Sequence, residues 1–222
     1  MENKEITPSK YNLLASLVDF PDERFVETVR ECQLYLDGKY PELGETMEPF
    51  TDFVSEVSVD ELQELHTRTF DVQAITTLDL GYLLFGDDYK RAELLVNLNR
   101  EHTEASNPCG HELADHLPNV IRLVAKMQDE EIRNELAVKL ICPGLTKMIS
   151  EFDPYSLQKK NEVYKRHHKT LIEIPESYGT LYQRPLMVLL EIFRLDFALT
   201  AEPAESTAVF VDAISTEMKL EE

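Results

Sequence analysis

Apolar residues recur every three or four positions along almost the whole chain, and sustained alternation of apolar and polar residues is hard to find. The first spacing places apolar side chains on one face of an α-helix, whereas a half-buried strand needs the second. A chain of 222 residues, 43% of them hydrophobic, is long enough to bury one sizeable core and short for two ordinary domains. The sequence therefore predicts an all-α protein, folded as a single-domain helical bundle.

Signals for the start and end of individual helices support this interpretation. Thr7 and Pro8 suit the N-cap and first position of a helix that continues to Val18. Ser58 and Glu61 form a capping box, in which each side chain reaches the backbone N–H of the other residue. Further helices are predicted after Pro21 to Gly38, from about Glu45 to Val57, from Asp88 through Leu98, from Leu117 to Met127, from Asp129 through Leu140, and from about Tyr155 to Ile174.

Three later segments are predicted to adopt different structures. Cys142-Pro143-Gly144 is predicted to break or kink the long helix that begins after Asp129. The segment "RPLMVLLEIFRLDFAL" is apolar nearly all round and too short to span a bilayer, so it is predicted to be a buried core helix. Residues 200–222 are acidic and rich in small side chains, which predicts a flexible tail after a helical domain of residues 1–199.

The charge of the chain narrows the range of partners. Its 42 acidic and 22 basic residues give a formal net charge of −20, so its field repels phosphate backbones and anionic membrane surfaces. We therefore expect neither nucleic acid binding nor direct membrane insertion. A preference for basic partners remains open beside the simpler reading of a solvated surface that aids solubility.

Cysteine use and the N-terminus bear on the cellular compartment. Cys32, Cys109 and Cys142 are widely spaced and include no C-x-x-C pair, so neither a disulfide framework nor a structural zinc site is indicated. Cys32 falls on the apolar side of its helix and is expected in the core, and Cys109 is expected to be an ordinary loop thiol. The N-terminus lacks the apolar stretch and cleavage site of a secretory signal. We expect a cytoplasmic protein.

The motif "CGHELADHLPNV" concentrates groups that could bind a metal ion. Zincin histidines four positions apart lie about 40° apart around a helix, whereas the spacing of His111 and His116 separates them by about 140°. A loop that folded both rings inward, with Glu112 or Asp115 joining them, would still permit a metal-dependent hydrolase, which stays the alternative function. The histidine pair at 167–168 has basic neighbours and is interpreted as part of a solvated face.

Several stretches together resemble a known family. They are "ELQELHTRTFD" at 61–71, "LGYLLFGDDYKRAELLVNLNREH" at 80–102, "HELADHLPNVIRLVAKM" at 111–127 and "DPYS" at 153–156. They resemble the NarJ-type delta subunits, within the TorD/DmsD superfamily of molybdoenzyme assembly chaperones, and the resemblance covers about residues 10–175. Its most specific part is an L-F-G-D segment paired with a downstream E-L-x-D-H-L-P segment.

This resemblance implies an all-helical, cytoplasmic chaperone of the TorD/NarJ type. Such a chaperone binds the N-terminal segment of a molybdopterin-containing catalytic subunit, nitrate reductase-like or of a related chlorate, selenate or hydrocarbon-oxidising type. It holds that subunit until the molybdenum cofactor and iron–sulfur centres are inserted. The resemblance implies no catalysis, and no cofactor or metal is expected on the chaperone itself.

The client peptide is expected where the two most specific segments meet. Leu84 and Phe85 precede a helix end at Gly86, where a bend can leave an aromatic edge facing a groove. Asp115 and His116 would flank the polar end of that groove as hydrogen-bonding groups. The predicted peptide-binding residues are Tyr82, Leu84, Phe85, Gly86, Asp87, Glu112, Asp115, His116, Leu117 and Pro118.

Simpler interpretations of these residues stay open at this point. Phe85 could be core, Asp115 only the N-cap of the helix that contains Pro118, and His116 a hydrogen-bonded spacer. The function is open in the same way between a binding module, a metal-dependent hydrolase and a structural subunit held permanently in a complex.

Overall fold

The computed structural model describes residues 8–160 and 179–199. Within these ranges all regular structure is helical, apart from one isolated antiparallel bridge between Asp79 and His116. The predicted all-α class is therefore confirmed. No helix in the same ranges combines the length and the apolar character needed to cross a membrane.

The described residues form a series of α-helices. In chain order they are α1 (Pro8–Ala15), α2 (Phe25–Lys39), α3 (Pro41–Glu56), α4 (Val59–Phe70), α5 (Leu80–Phe85), α6 (Tyr89–Glu104), α7 (Leu117–Lys126), α8 (Glu130–Glu135), α9 (Cys142–Ser150), α10 (the described residues 154–160) and α11 (Gln183–Asp196). A 3-10 turn, Ser16–Val18, follows α1, and a π turn, Leu136–Ile141, joins α8 to α9.

Several helix ends follow the signals in the sequence. The capping box is confirmed, because the Glu61 N–H donates to the Ser58 hydroxyl at 3.3 Å and the Ser58 N–H donates to the Glu61 carboxylate at 3.0 Å. Pro118 stands in the first turn of α7, as expected. The start of α3 differs from the prediction near Glu45. It lies at Pro41, since proline at the first helical position gives up no hydrogen bond and has a suitable φ.

Two expected helix breakers do not break helices. Gly38 lies inside α2, and Cys142-Pro143-Gly144 lies in a helix that continues without interruption from α8 through α9. Of the two predicted outcomes, a break is wrong because a π turn precedes the proline, and a kink stays a prediction. There the Cys142 N–H donates to the Ala137 carbonyl oxygen, five residues back, which eases the conflict between a proline ring and a regular α-helical turn.

Contacts divide the chain into two compact units. Of the described residues, unit A comprises 8–15, 79–144 and 190–199, and unit B comprises 16–78, 145–160 and 179–189. The boundary that the sequence indicates after residue 199 stays a prediction, because the expected tail lies outside the described residues. The same holds for the histidine pair at 167–168 and for the helix expected beyond residue 160.

Unit B has an aromatic core that includes a histidine. The ring centroid of His66 lies 4.9 Å from that of Phe70 and 5.6 Å from that of Tyr182, while its Nε2 lies 3.3 Å from the carbonyl oxygen of Val18. The Cys32 side chain is fully buried, as predicted, and burial raises the pKa of its thiol to about 12. The thiol of Cys32 is therefore protonated at neutral pH, consistent with a packing role.

The predicted core helix is confirmed over α11. Five of its apolar side chains are completely buried, and two others, Met187 and Leu195, are partly exposed. The completely buried ones are Leu186, Val188, Leu189, Ile192 and Phe193. The helix is thus apolar on most sides because most of its sides are packed.

A buried ion pair joins the two ends of the described chain within unit A. Lys10 of α1 pairs with Asp196 at the end of α11, and both side chains are at most 7% exposed. The Tyr11 hydroxyl donates to the same carboxylate at 2.6 Å, and the Tyr11 ring packs against Phe193 with centroids 5.2 Å apart. Asp196 therefore neutralises a buried ammonium group and accepts a second hydrogen bond.

Asp196→Ala is expected to lower the free energy of unfolding by about 3–5 kcal/mol, because it leaves the Lys10 charge buried without its partner. Urea unfolding at neutral pH measures this change. Glu191→Gln is the control, since it breaks a 2.6 Å pair with Arg194 in which the Glu191 side chain is 44% exposed. It should cost less than about 1 kcal/mol. Equal losses in the two variants would contradict a buried, unscreened pair.

Candidate functional site

Three buried polar side chains fix the loop between α6 and α7 that contains the "CGHELADH" motif. His102 of α6 donates from Nε2 to the Ala114 carbonyl oxygen at 3.0 Å. The Asn107 side-chain amide donates to His102 Nδ1 at 2.9 Å, and the Asn119 amide donates to the carbonyl oxygens of Cys109 and Leu113 at 3.1 and 3.2 Å. Hydrogen bonds therefore fix the conformation of the loop at several points, so that its surface has a defined shape.

These contacts assign the protonation state of His102. Because Nδ1 accepts from the Asn107 amide, the ring proton is on Nε2, where it is donated to Ala114. Burial lowers the pKa of His102 below its usual value, against the opposing effect of its hydrogen bonds. The ring is neutral at pH 7, and a second proton would displace the Asn107 contact.

Replacing His102 should alter how stability depends on pH. The pKa of His102 in the folded state lies below its usual value of 6.5, so the unfolded chain takes up the proton first as the pH falls. His102 thus contributes stability that is complete above about pH 6.5 and is lost on acidification. Urea unfolding between about pH 7 and pH 5 should show a shallower loss in His102→Gln than in the wild type.

His111→Gln is the matched control for this experiment, because His111 is an exposed residue of the same loop. It should retain the wild-type dependence on pH. A His102→Gln variant with the wild-type dependence would mean that His102 titrates alike in the folded and unfolded chains, contrary to its burial.

Asp115, the seventh residue of that motif, is far from α5 in sequence but accepts hydrogen bonds from the first residues of this helix. Its carbonyl oxygen accepts from the Leu80 N–H at 3.0 Å, and its carboxylate Oδ2 accepts from the Gly81 N–H at 3.1 Å. The local N-cap residue of α5, Asp79, makes no side-chain capping bond. A short helix therefore takes its capping interaction from the loop before α7.

Two glycines allow other groups to approach α5 closely. A Cβ at Gly81 would lie 2.6 Å from Asp115 Oδ2, and a Cβ at Gly144 would lie 2.3 Å from Cδ2 of Leu80. Neither position has space for a side chain without movement of its neighbour. Gly144, expected to be a helix breaker, is instead a packing position against α5.

Arg91 of α6 joins the groups around α5. Its Nε donates to Asp115 Oδ2 at 3.3 Å and its Nη2 to Asp79 Oδ2 at 3.2 Å, while its guanidinium carbon lies 5.2 Å from the ring centroid of Tyr82. On the other side of Asp79, Oδ1 lies 3.3 Å from His116 Nδ1. We call Asp79, Arg91, Asp115 and His116 the charged cluster.

The two carboxylates of the charged cluster differ in their electrostatics. The hydrogen bond from His116 and the nearby Arg91 charge hold the pKa of Asp79 below its usual value. Burial, and then the negative charge of Asp79, raise the pKa of Asp115, although Arg91 opposes the rise. The Asp115 side chain is fully buried, and its Oδ1 accepts no hydrogen bond. Arg91 is thus shared by two carboxylates of unequal solvation.

Gly81→Ala tests whether Asp115 holds α5. The added methyl group would meet the Asp115 carboxylate, so we expect the free energy of unfolding to fall by about 1–3 kcal/mol. Gly38→Ala is the control, since Gly38 is also helical and has nothing within 4 Å of an added Cβ. It should raise the free energy of unfolding by about 0.5–1 kcal/mol, as alanine favours helices.

The same substitution is also measured by urea unfolding in a protein that lacks the Asp115 carboxylate. In an Asp115→Ala protein the same Gly81→Ala change should cost less, because the group that it meets has been removed. An equal cost in both backgrounds would mean that the glycine is needed for another reason.

The predicted peptide-binding residues differ in exposure. Tyr82 is 46% exposed, Asp87 and Glu112 are exposed, and the side chain of His116 is 17% exposed. A second group is half-buried, namely Leu84, Phe85 and Gly86. A third group is buried, namely Asp115, Leu117 and Pro118. The structure brings Tyr82, Asp115 and His116 together through Arg91 and Asp79, and direct contact of the buried residues with a peptide stays a prediction.

Two of the simpler interpretations are settled by these positions. The N-cap of α7 is His116, which makes no side-chain capping bond, so Asp115 as the N-cap of that helix was wrong. His116 is hydrogen-bonded, as that interpretation expected: its side chain contacts Asp79, and its backbone N–H donates to the Leu113 carbonyl oxygen at 3.1 Å. Phe85 is half-buried, and therefore neither fully core nor fully available.

Sequence reasoning missed Asp79, Gly81 and Arg91. Gly81 had a signal, since an isolated glycine in the apolar run "LGYLLF" indicates close approach of another group. Asp79 and Arg91 had none, because their partners lie far along the chain and charged residues are common at this surface.

A metal-dependent hydrolase would need several side chains of the motif to converge on one point. No group of three or more histidine, cysteine, aspartate or glutamate side chains within residues 8–160 and 179–199 could hold a metal ion. His111 is exposed, and His116 Nδ1 is directed at Asp79, with Glu112 at 3.9 Å. Burial raises the pKa of the Cys109 thiol, which keeps it protonated and poorly nucleophilic at neutral pH.

No protein-family model matches this sequence, and no curated protein is significantly similar to it. The resemblance to the NarJ-type chaperones therefore stays a prediction from the motifs.

Proposed function

We propose that this protein is a binding module, a cytoplasmic assembly chaperone for a molybdopterin-containing oxidoreductase of the nitrate reductase-like kind. It would bind the N-terminal segment of the catalytic subunit and hold that subunit during insertion of the molybdenum cofactor. One observation carries the proposal. The two segments with the most specific resemblance, at 80–102 and 111–127, are joined through the charged cluster.

The exposed part of this region suits an amphipathic peptide. Tyr82 offers an aromatic face beside a guanidinium group, and Leu84 and Phe85 lie half-buried on the same short helix. An apolar side of a client helix would pack there, as helices commonly do in shallow grooves. Exposed carboxylates at Asp87 and Glu112 would attract lysine or arginine of the client.

Asp115 has a supporting role in this proposal. Its carboxylate is buried and already accepts from Gly81 and Arg91, so it fixes the position of α5 rather than facing the client. His116 is the member of the charged cluster that follows it, is partly exposed, and stays a candidate for direct contact. The client surface would therefore be rigid on its inner side and accessible on its outer side.

Binding without chemistry is the activity that such a surface supports. A chaperone must release its client, so moderate affinity from a small apolar area with charged neighbours is suitable. The experiment is recovery of the tagged full-length protein from its own cells, with identification of the bound subunit. A molybdopterin oxidoreductase subunit that lacks its cofactor is the expected partner. Recovery with a complete mature enzyme would favour a permanent structural subunit, and one equivalent of tightly bound zinc would favour the hydrolase.

Tyr82→Ala should weaken binding of the N-terminal peptide of the recovered subunit by about tenfold, because it removes the exposed aromatic anchor. Calorimetric titration of the full-length protein measures the affinity. Tyr155→Ala is the control, since Tyr155 is 74% exposed in unit B. It should bind the peptide as the wild type does. Unchanged affinity in Tyr82→Ala would remove α5 from the client surface.

A further inference from the structure

The solvent face of α6 carries a continuous row of uncharged residues. Five residues at alternating spacings of three and four lie within an arc of about 80° around the helix. They are Tyr89, Ala92, Val96, Asn99 and Thr103, and all five are exposed. We call this set the α6 stripe. It lies opposite the buried side of the same helix, which contains Leu94 and Leu98.

A row of five exposed residues without a charge is unusual in this protein, and the charged residues Arg100, Glu93 and Glu104 lie only along its edge. Charged residues make up 29% of the chain, and the outer face of a surface helix is where they are expected. Tyr89 is 73% exposed and Val96 is 64% exposed. These two large apolar side chains are seven residues apart, so they are exposed to solvent on the same side of the helix. Solitary exposed apolar residues need no explanation, but an aligned set without charges marks an interaction surface.

The polar members of the α6 stripe offer few hydrogen-bond donors to solvent. The Asn99 amide donates to the Leu95 carbonyl oxygen at 2.8 Å, and the Thr103 hydroxyl donates to the Asn99 carbonyl oxygen at 2.7 Å. Both side chains therefore bond back to their own helix. The outward surface of Thr103 is then its methyl group, which extends the apolar character of the row.

The spacing of the α6 stripe indicates the shape of its partner. Positions separated by three and four residues in alternation form the seam of a two-stranded coiled coil, in which each side chain packs between residues of a facing helix. A helix of another chain is therefore the matching occupant. A flat or extended segment would contact only part of a row that follows the helix axis.

The charges beside the α6 stripe indicate the sign of that helix. Glu93 and Glu104 lie on its flank. The neighbouring arginines are already engaged, since Arg100 pairs with Glu101 and Arg91 belongs to the charged cluster. The net charge of −20 disfavours a second copy of this chain and favours a basic partner.

We propose that the α6 stripe is a docking surface for a basic amphipathic helix of a partner protein, which packs apolar residues along Tyr89 and Val96 and places lysine or arginine beside Glu93 and Glu104. This surface shares no residue with the client surface proposed on α5 and the loop before α7. It therefore stands or fails separately from the assembly function.

The test uses two synthetic helical peptides of about three heptads and the full-length protein. Both peptides have leucine at the seam positions, and they differ in having lysine or glutamate at the flanking positions. Fluorescence anisotropy measures their affinities. The lysine peptide should bind about tenfold or more tightly than the glutamate peptide.

Val96→Glu separates packing on the α6 stripe from general attraction between opposite charges. It adds a carboxylate, so the lysine peptide would bind more tightly if charge alone held it. We expect instead a loss of about tenfold, because the apolar seam is interrupted. Leu34→Glu is the control, since Leu34 is 73% exposed on α2 and the change adds the same charge elsewhere. It should leave the affinity unchanged or slightly higher.

Three results would overturn the proposal. They are unchanged or tighter binding by Val96→Glu, equal affinity for the two peptides, and a wild-type dimer in light scattering that Val96→Glu dissociates. The last result would identify a second copy of this chain as the occupant. Circular dichroism of the variant should match that of the wild type, because the side chain at 96 lies on the solvent face.

Discussion

The buried carboxylate of Asp115 is the interaction on which the candidate site depends. α5 has only six residues, and a helix of that length does not form alone because nucleation costs more than so few hydrogen bonds return. Asp115 supplies a backbone and a side-chain acceptor at the start of this helix, and Gly81 leaves space for both. The surface that carries Tyr82 therefore depends on Asp115, which lies 34 positions after the Gly81 that it contacts.

The charged cluster holds the start of α5 in place. One guanidinium group serves two carboxylates, and the carboxylate with less access to water is the one that also holds backbone. A buried pair of this kind contributes little net stability but defines geometry strongly, since losing one member leaves another charge uncompensated. This suits a surface that must keep its shape in the absence of a partner. The neutral His102 has the corresponding role for the loop, with hydrogen bonds in place of charges.

The parts of this structure that could be predicted from the sequence are those with local causes. The all-α class follows from the spacing of apolar residues, and the start of α4 follows from Ser58 and Glu61, three positions apart. The π turn before Pro143 could not be predicted, because the sequence shows the proline but not how the helix accommodates it. The segment from Cys109 to His116 is rich in titratable groups, yet its conformation depends on the side-chain amides of Asn107, which precedes it, and Asn119, which follows it. Asp79 and Arg91 lie 12 positions apart on neighbouring elements, and no local pattern relates them to Asp115.

The ion pair between Lys10 and Asp196 has a consequence for synthesis of the chain. Its members are 186 positions apart, so Lys10 and Tyr11 leave the ribosome long before the carboxylate that they share has been made. During that interval α1 has an ammonium group destined for burial and no counter-charge for it, which disfavours its stable packing on α7. Unit A is thus completed only when the last turns of α11 emerge. A ribosome that stopped before residue 196 would release a chain in which Lys10 has no buried counter-charge. The first helix of such a fragment would not pack stably, and the fragment would be a good substrate for cellular proteases.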